Sequence, residues 1–144
     1  MSNYPVWWDT TLTLYNKYED SKGEVTWYKH TLHNCFWKYT GEELRVDNSV
    51  IATKDTICRV PKSDYFLDKY EWVNSQDKST YFTFGRGDIL VNGQVEDVID
   101  EYASGQRSTD LLDKYRDKGC VQIQEYRTNT GMGRVLEHYF IRGI

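Results

Sequence analysis

Along most of this 144-residue chain, apolar and polar positions alternate with a period of two, the spacing of strands rather than of helices. The alternation is densest at residues 81–93, where Phe82 and Phe84 flank Thr83 and a second apolar run, Ile89-Leu90-Val91, follows. Gly85 and Gly87 supply the φ freedom of a tight turn, Asp88 suits the entry of a strand, and Asn92-Gly93 ends the run. The stretch therefore predicts strand, turn and strand at the centre of the chain.

On either side the same period recurs. Leu12 and Leu14 face away from Thr11, Thr13 and Tyr15, and the polar 19–23 stretch then predicts a hairpin loop. Residues 25–37 form a long strand in which Lys29 and Asn34 interrupt the pattern and predict a bulge or bend. Residues 39–48 read as a polar excursion, followed by separate strands at 49–53 and 56–61, the second closed by Pro61. Residues 62–79 predict a helical turn or structured loop that packs its aromatics, and 95–101 fit strand and helix equally. Ser108 or Thr109 is placed to cap a helix with Leu111, Leu112 and Tyr115 on its buried stripe and Gly119 at its end. Val121 and Ile123, then Val135 to Ile141, predict a closing hairpin. The expected fold is mainly β: one domain over 1–144, a small antiparallel barrel or sandwich of seven or eight strands, with long loops and one short helix near 109–118.

Composition narrows the function. A formal net charge of -4 lacks the basic balance of a protein that grips nucleic acid by its phosphates. Twelve Tyr, five Trp and five Phe exceed what strands alone need and favour protein contact surfaces. Cys35, Cys58 and Cys120 are odd in number and far apart, which predicts free thiols in a reducing compartment. No apolar run has the length of a signal peptide or a membrane span, so a protein made without export is expected.

Chemical motifs are sparse. His30 and His33 lie three apart in a strand, which sets them on opposite faces and argues against a shared metal. His138 has no patterned partner. The carboxylates are scattered, and no nucleophile elbow, phosphate loop or dinucleotide fingerprint is present. No catalytic role, no metal and no cofactor is expected. Arg86-Gly87-Asp88 spells an adhesion tripeptide, but the turn already accounts for its glycine and aspartate.

Four segments carry a likeness that extends over most of the chain: Thr11-Leu12-Thr13-Leu14-Tyr15, Leu32-His33-Asn34-Cys35-Phe36-Trp37, Ile57-Cys58-Arg59-Val60-Pro61, and the turn and strand with Gly87, Asp88, Ile89, Val91 and Gly93. Residues 121–126 with Asn129, Gly131, Leu136 and His138 add a fifth. In order and spacing they resemble the head-closure (stopper, or head-tail joining) proteins of tailed bacteriophages. The resemblance implies a β-barrel of the virion neck, made in the bacterial host cytoplasm. Such a protein assembles as a homo-oligomeric ring beneath the portal or adaptor protein, closes the DNA channel, and docks the tail terminator or tail tube protein. Packaged DNA would pass through without sequence-specific binding, and no membrane is involved. The aromatic-rich 65–72 stretch and the helix near 109–118 exceed a minimal barrel and leave open a tail-terminator-like ring. A small-ligand-binding barrel or hydrolase is the alternative of another class.

Family stoppers close the channel with a loop after the second strand, which corresponds here to 40–48. Glu42, Glu43, Arg45 and Asp47 are therefore the candidate channel residues. Tyr4, Trp7, Trp8, Tyr70 and Trp72, large aromatics in aperiodic stretches, are the candidates for contacts with tail or portal.

Overall fold

The computed structural model describes residues 8–46, 49–102, 106–129 and 137–144. Its frame is a closed six-stranded antiparallel barrel in the order β1-β2-β3-β6-β5-β4. The strands are β1 Thr10–Glu19, β2 Val25–Val46, β3 Ser49–Pro61, β4 Ile89–Asn92, β5 Cys120–Asn129 and β6 His138–Gly143; two short helices, α1 Lys69–Val73 and α2 Ser108–Lys114, lie between them. The mainly β expectation holds, and closure decides for barrel over sandwich. Closure also leaves the barrel wall without the open edges that a sandwich must protect.

The period-two pattern fills the barrel. Leu12, Leu14, Cys35, Cys58, Leu90, Ile123 and Ile141 are fully buried in one cluster, and each large aliphatic side chain there contributes about 1.5–3 kcal/mol of burial. Aromatics complete it: Phe66 lies 4.3 Å from Tyr139 and stacks on Phe84 at 5.5 Å, centroid to centroid. A second cluster sits outside the wall. Tyr15, Ile89 and Val91 face outward from β1 and β4 and are covered by Ile99 and Leu111. Strand β4 is thus covered on both sides, which is why Ile89-Leu90-Val91 is a continuous apolar run and not an alternation.

Three expectations are corrected. Among the described residues six strands form, not seven or eight, in part because 49–53 and 56–61 are one continuous strand, β3. The first half of the central hairpin is not in the sheet: only Phe82 makes a bridge, parallel to Phe66. Its neighbour Thr83 gives its carbonyl and amide to the Asn16 side chain, at 2.6 and 3.2 Å, where a ladder would have used another backbone. The described residues hold two helices, and the later one ends at Lys114, short of the expected 118. Its cap residue is Arg107, whose amide donates to Asp110 at 3.1 Å; Leu111 is buried, and Leu112 and Tyr115 pack beside it, as the stripe required. The 95–101 stretch takes neither regular form.

Candidate functional site

Strand β2 is far longer than the barrel wall. It pairs with β1 only as far as Cys35, opposite Thr10, and with β3 from Phe36 onward. Asn34 stands at this change of partner with φ 57, a left-handed conformation that asparagine tolerates better than most residues. The register shifts opposite it between Thr10 and Leu12. The bulge foreseen at Asn34 is therefore the bend that lets β2 leave β1.

Strand β3 pairs with β6 only between Thr56 and Pro61. The seven pairs from Thr40↔Asp55 to Val46↔Ser49 consequently have, among the described residues, no third strand beside them. At about 3.4 Å per residue they make a two-stranded arm roughly 20 Å long. This corrects the polar excursion expected over 39–48. Polar residues do not prevent strand pairing, and Thr40, Val46, Val50, Ile51 and Thr53 are β-branched. Glu42, Glu43 and Arg45 lie on the β2 side of the arm, and Asp47 lies outside the described residues.

The candidate aromatics separate. Tyr70 is 80 % exposed, whereas Trp72 is completely buried. The Trp72 indole donates to the Tyr81 carbonyl at 2.9 Å, and the rings of Tyr18 and Tyr28 meet it edge-on. Trp72 is therefore core, the one residue of α1 that is buried, while Tyr70 two positions earlier points to solvent. Trp8 is buried too, with its ring T-shaped on His138 at 5.4 Å and tilted against Phe36. Tyr4 and Trp7 lie outside the described residues. Tyr39, Tyr65 and Tyr102, which the pattern did not single out, are all more than half exposed.

The Gly-Asp turn is structural. Asp88 is buried and accepts hydrogen bonds from the Asn16 amide at 2.8 Å, the Lys17 backbone at 3.0 Å and the Gly85 backbone at 3.0 Å. Burial pushes its carboxyl pKa up, against the pull of the nearby Lys69 ammonium and these donors. A carboxylate so enclosed cannot be presented to an adhesion receptor.

His30 is buried and His33 exposed, the opposite faces that their spacing implied. Burial lowers the His30 pKa to about 4, and its Nε2 has no hydrogen-bond partner. His138 Nε2 accepts from Arg59 at 2.9 Å. Among the described residues no group of His, Cys, Asp and Glu is arranged to hold a metal ion, and no helix is long and apolar enough to cross a membrane. The three cysteines are free thiols; burial raises Cys35 and Cys120 to about 12 and pushes Cys58 up as well, so none is poised as a nucleophile.

Two open depressions flank the barrel. One of about 270 Å³ lies between β2 and the chain after β3, beside His30, Lys62 and Tyr65. A larger groove of about 700 Å³ runs along the root of the arm, between Trp37 and Tyr39 on one side and Arg116, Lys118 and Ile144 on the other.

No curated protein matches this chain, and no solved structure matches it. The sequence model of one family, described as a family of unknown function (DUF6751), matches residues 7–144. The chain therefore belongs to the DUF6751 family.

Proposed function

We propose that this protein is a structural component of a tailed-phage neck, a head-closure subunit that assembles as a ring beneath the portal and uses its β2–β3 arm to close the DNA channel. The observation that carries the reading is the arm itself. A two-stranded ribbon is marginally stable alone in water, so a ribbon of this length is best explained by a surface that receives it in an assembly. The arm spans the 40–48 stretch that the resemblance matches to the channel-closing segment, although here its first half is the end of β2, and it carries Glu42, Glu43 and Arg45. A filled interior also favours a scaffold over a small-ligand barrel, because Phe66, Phe82, Phe84 and Tyr139 take up the space that a ligand would need.

The test is reconstitution with DNA-filled, tail-less heads. Purified protein should co-sediment with portal-bearing heads and reduce DNA leakage from them. A variant whose arm is replaced by a two-residue turn should bind without reducing leakage. Absence of binding to heads that carry a portal would remove the reading. A tail-terminator-like ring, the second reading of this class, would bind isolated tails instead.

A further inference from the structure

The barrel carries opposite charge on opposite sides. On the outer face of β2, β3, β6 and β5, one cross-strand row runs Phe36↔Arg59↔Phe140↔Arg127, and the next runs Lys38↔Ile57↔Arg142↔Glu125. Their neighbours along the strands, Cys58, Val60, Tyr139 and Ile141, point into the core, so these rows point out. Two guanidiniums lie over the Phe140 ring, Arg127 at 4.4 Å and Arg59 at 5.4 Å. This holds both cations on the outer face, Arg127 exposed and Arg59 half-buried with one N–H given to His138 Nε2 at 2.9 Å. Arg142 is neutralised by Glu125 at 3.0 Å and Asp55 at 3.6 Å. Lys38, Arg59 and Arg127 have no carboxylate partner among the described residues. With four cations and two carboxylates, the face is net +2 in a chain of net charge -4.

In the strand order, β3 and β6 stand diametrically across from β4 and β1. The outer face of β1 and β4 is the one covered by the layer containing Ile99 and Leu111. The segments 94–102 and 106–118, which supply that layer, hold seven carboxylates and four cations, a net of -3. Glu96 is almost fully exposed there, with only a 3.9 Å contact to Lys29, and Asp113 is exposed with Arg116.

We infer that the Arg59–Phe140–Arg127 face of one copy docks on the acidic layer that 94–102 and 106–118 supply in the next, a head-to-tail contact between copies of this chain. The inference rests on the ring reading above and names the contact that would build the ring. Two complementary patches on opposite sides of one molecule cannot satisfy each other within it. They make a heterologous contact, which closes into a ring where the rotation per copy permits. Opposite potentials also orient the encounter and set its register. The alternative, a nucleic acid lying on the basic face, is less favoured because the guanidiniums already occupy the Phe140 ring on which a base would stack.

The experiment is the solution mass of the full chain by sedimentation, at low and high salt, with folding checked by circular dichroism. The wild-type protein should form species several times the 17.1 kDa chain mass, and these should dissociate as salt approaches about 1 M. Lys38→Glu with Arg127→Glu should reduce the mass to one chain, and Lys38→Ala with Arg127→Ala should weaken association at least tenfold. Adding Glu96→Lys and Asp113→Lys to the glutamate pair should restore assembly. A wild-type protein that stays at one chain mass overturns the inference, as does an oligomer indifferent to these changes. A single-chain species that shifts on adding single-stranded DNA overturns it in favour of nucleic acid. Salt-sensitive assembly that behaves as expected but never engages heads leaves the contact standing and removes only the neck reading.

Discussion

The Asn16 side-chain amide donates to the Asp88 carboxylate at 2.8 Å, with both side chains enclosed by the protein. The same amide nitrogen donates to the Thr83 carbonyl at 2.6 Å. One asparagine on β1 therefore joins the turn before β4 to an extended segment that has no sheet to belong to. Asp88→Ala would strand the Asn16 amide and two backbone N–H groups, and should cost about 3–5 kcal/mol in urea unfolding. Asn16→Ala should cost about 2–4 kcal/mol by orphaning the Thr83 backbone. The double variant should lose less than the sum, because the two residues satisfy each other.

His30 ties stability to pH. Its folded pKa is lowered to about 4 from 6.5, so between those values the unfolded chain binds the extra proton and the folded chain does not. Stability is therefore full above about pH 6.5 and falls as the pH drops toward 4, by on the order of 2–3 kcal/mol. His30→Phe, which keeps the ring volume beside Phe82, should flatten that part of the profile. An unchanged slope in denaturant midpoints from pH 7 to pH 4.5 would show that another group is responsible.

Trp72 and Tyr70, two residues apart on α1, should respond in opposite ways. Trp72→Ala empties a fully buried site and removes the anchor between Tyr18 and Tyr28, at a cost of about 3–5 kcal/mol. Tyr70→Ala removes a ring that is 80 % exposed and should stay within about 0.5 kcal/mol of wild type. If Tyr70 is a docking residue, its loss will appear in head binding and not in the melting curve.

Gly119 turns the chain from α2 into β5 at φ +110, and a Cβ there would come within 3.0 Å of the Asn92 Cβ and 3.1 Å of the Trp37 ring. Gly119→Ala should destabilise by about 1–3 kcal/mol, seen as an earlier midpoint in thermal unfolding.

The arm should be dispensable for folding. Deleting 41–54 and joining Thr40 to Asp55 through Asn-Gly, a turn suited to tight hairpins, leaves every barrel pair intact. The shortened protein should unfold within about 1 kcal/mol of wild type, as expected where a ribbon is marginal on its own. A collapse in stability would show that the arm belongs to the fold.

The chain's own pattern determined the β class, the bulge at Asn34, the stripe on α2 and the opposite placement of His30 and His33, because each follows from the alternation or from a backbone preference of nearby residues. It misplaced whatever depends on partners distant in sequence. Phe82 and Phe84 alternate like a strand, yet the Asn16 amide 67 residues earlier decides what their segment bonds to. Residues 40–46 read as a loop because polarity there hides the period of two, and only the register with 49–55 shows them as strand. Trp72 and Tyr70 are indistinguishable by composition, and only the packing of α1 separates core from surface. The cation row across Arg59 and Arg127 was invisible for the same reason. Its members come from four strands spread along the chain, and only barrel closure in the order β2-β3-β6-β5 brings them side by side.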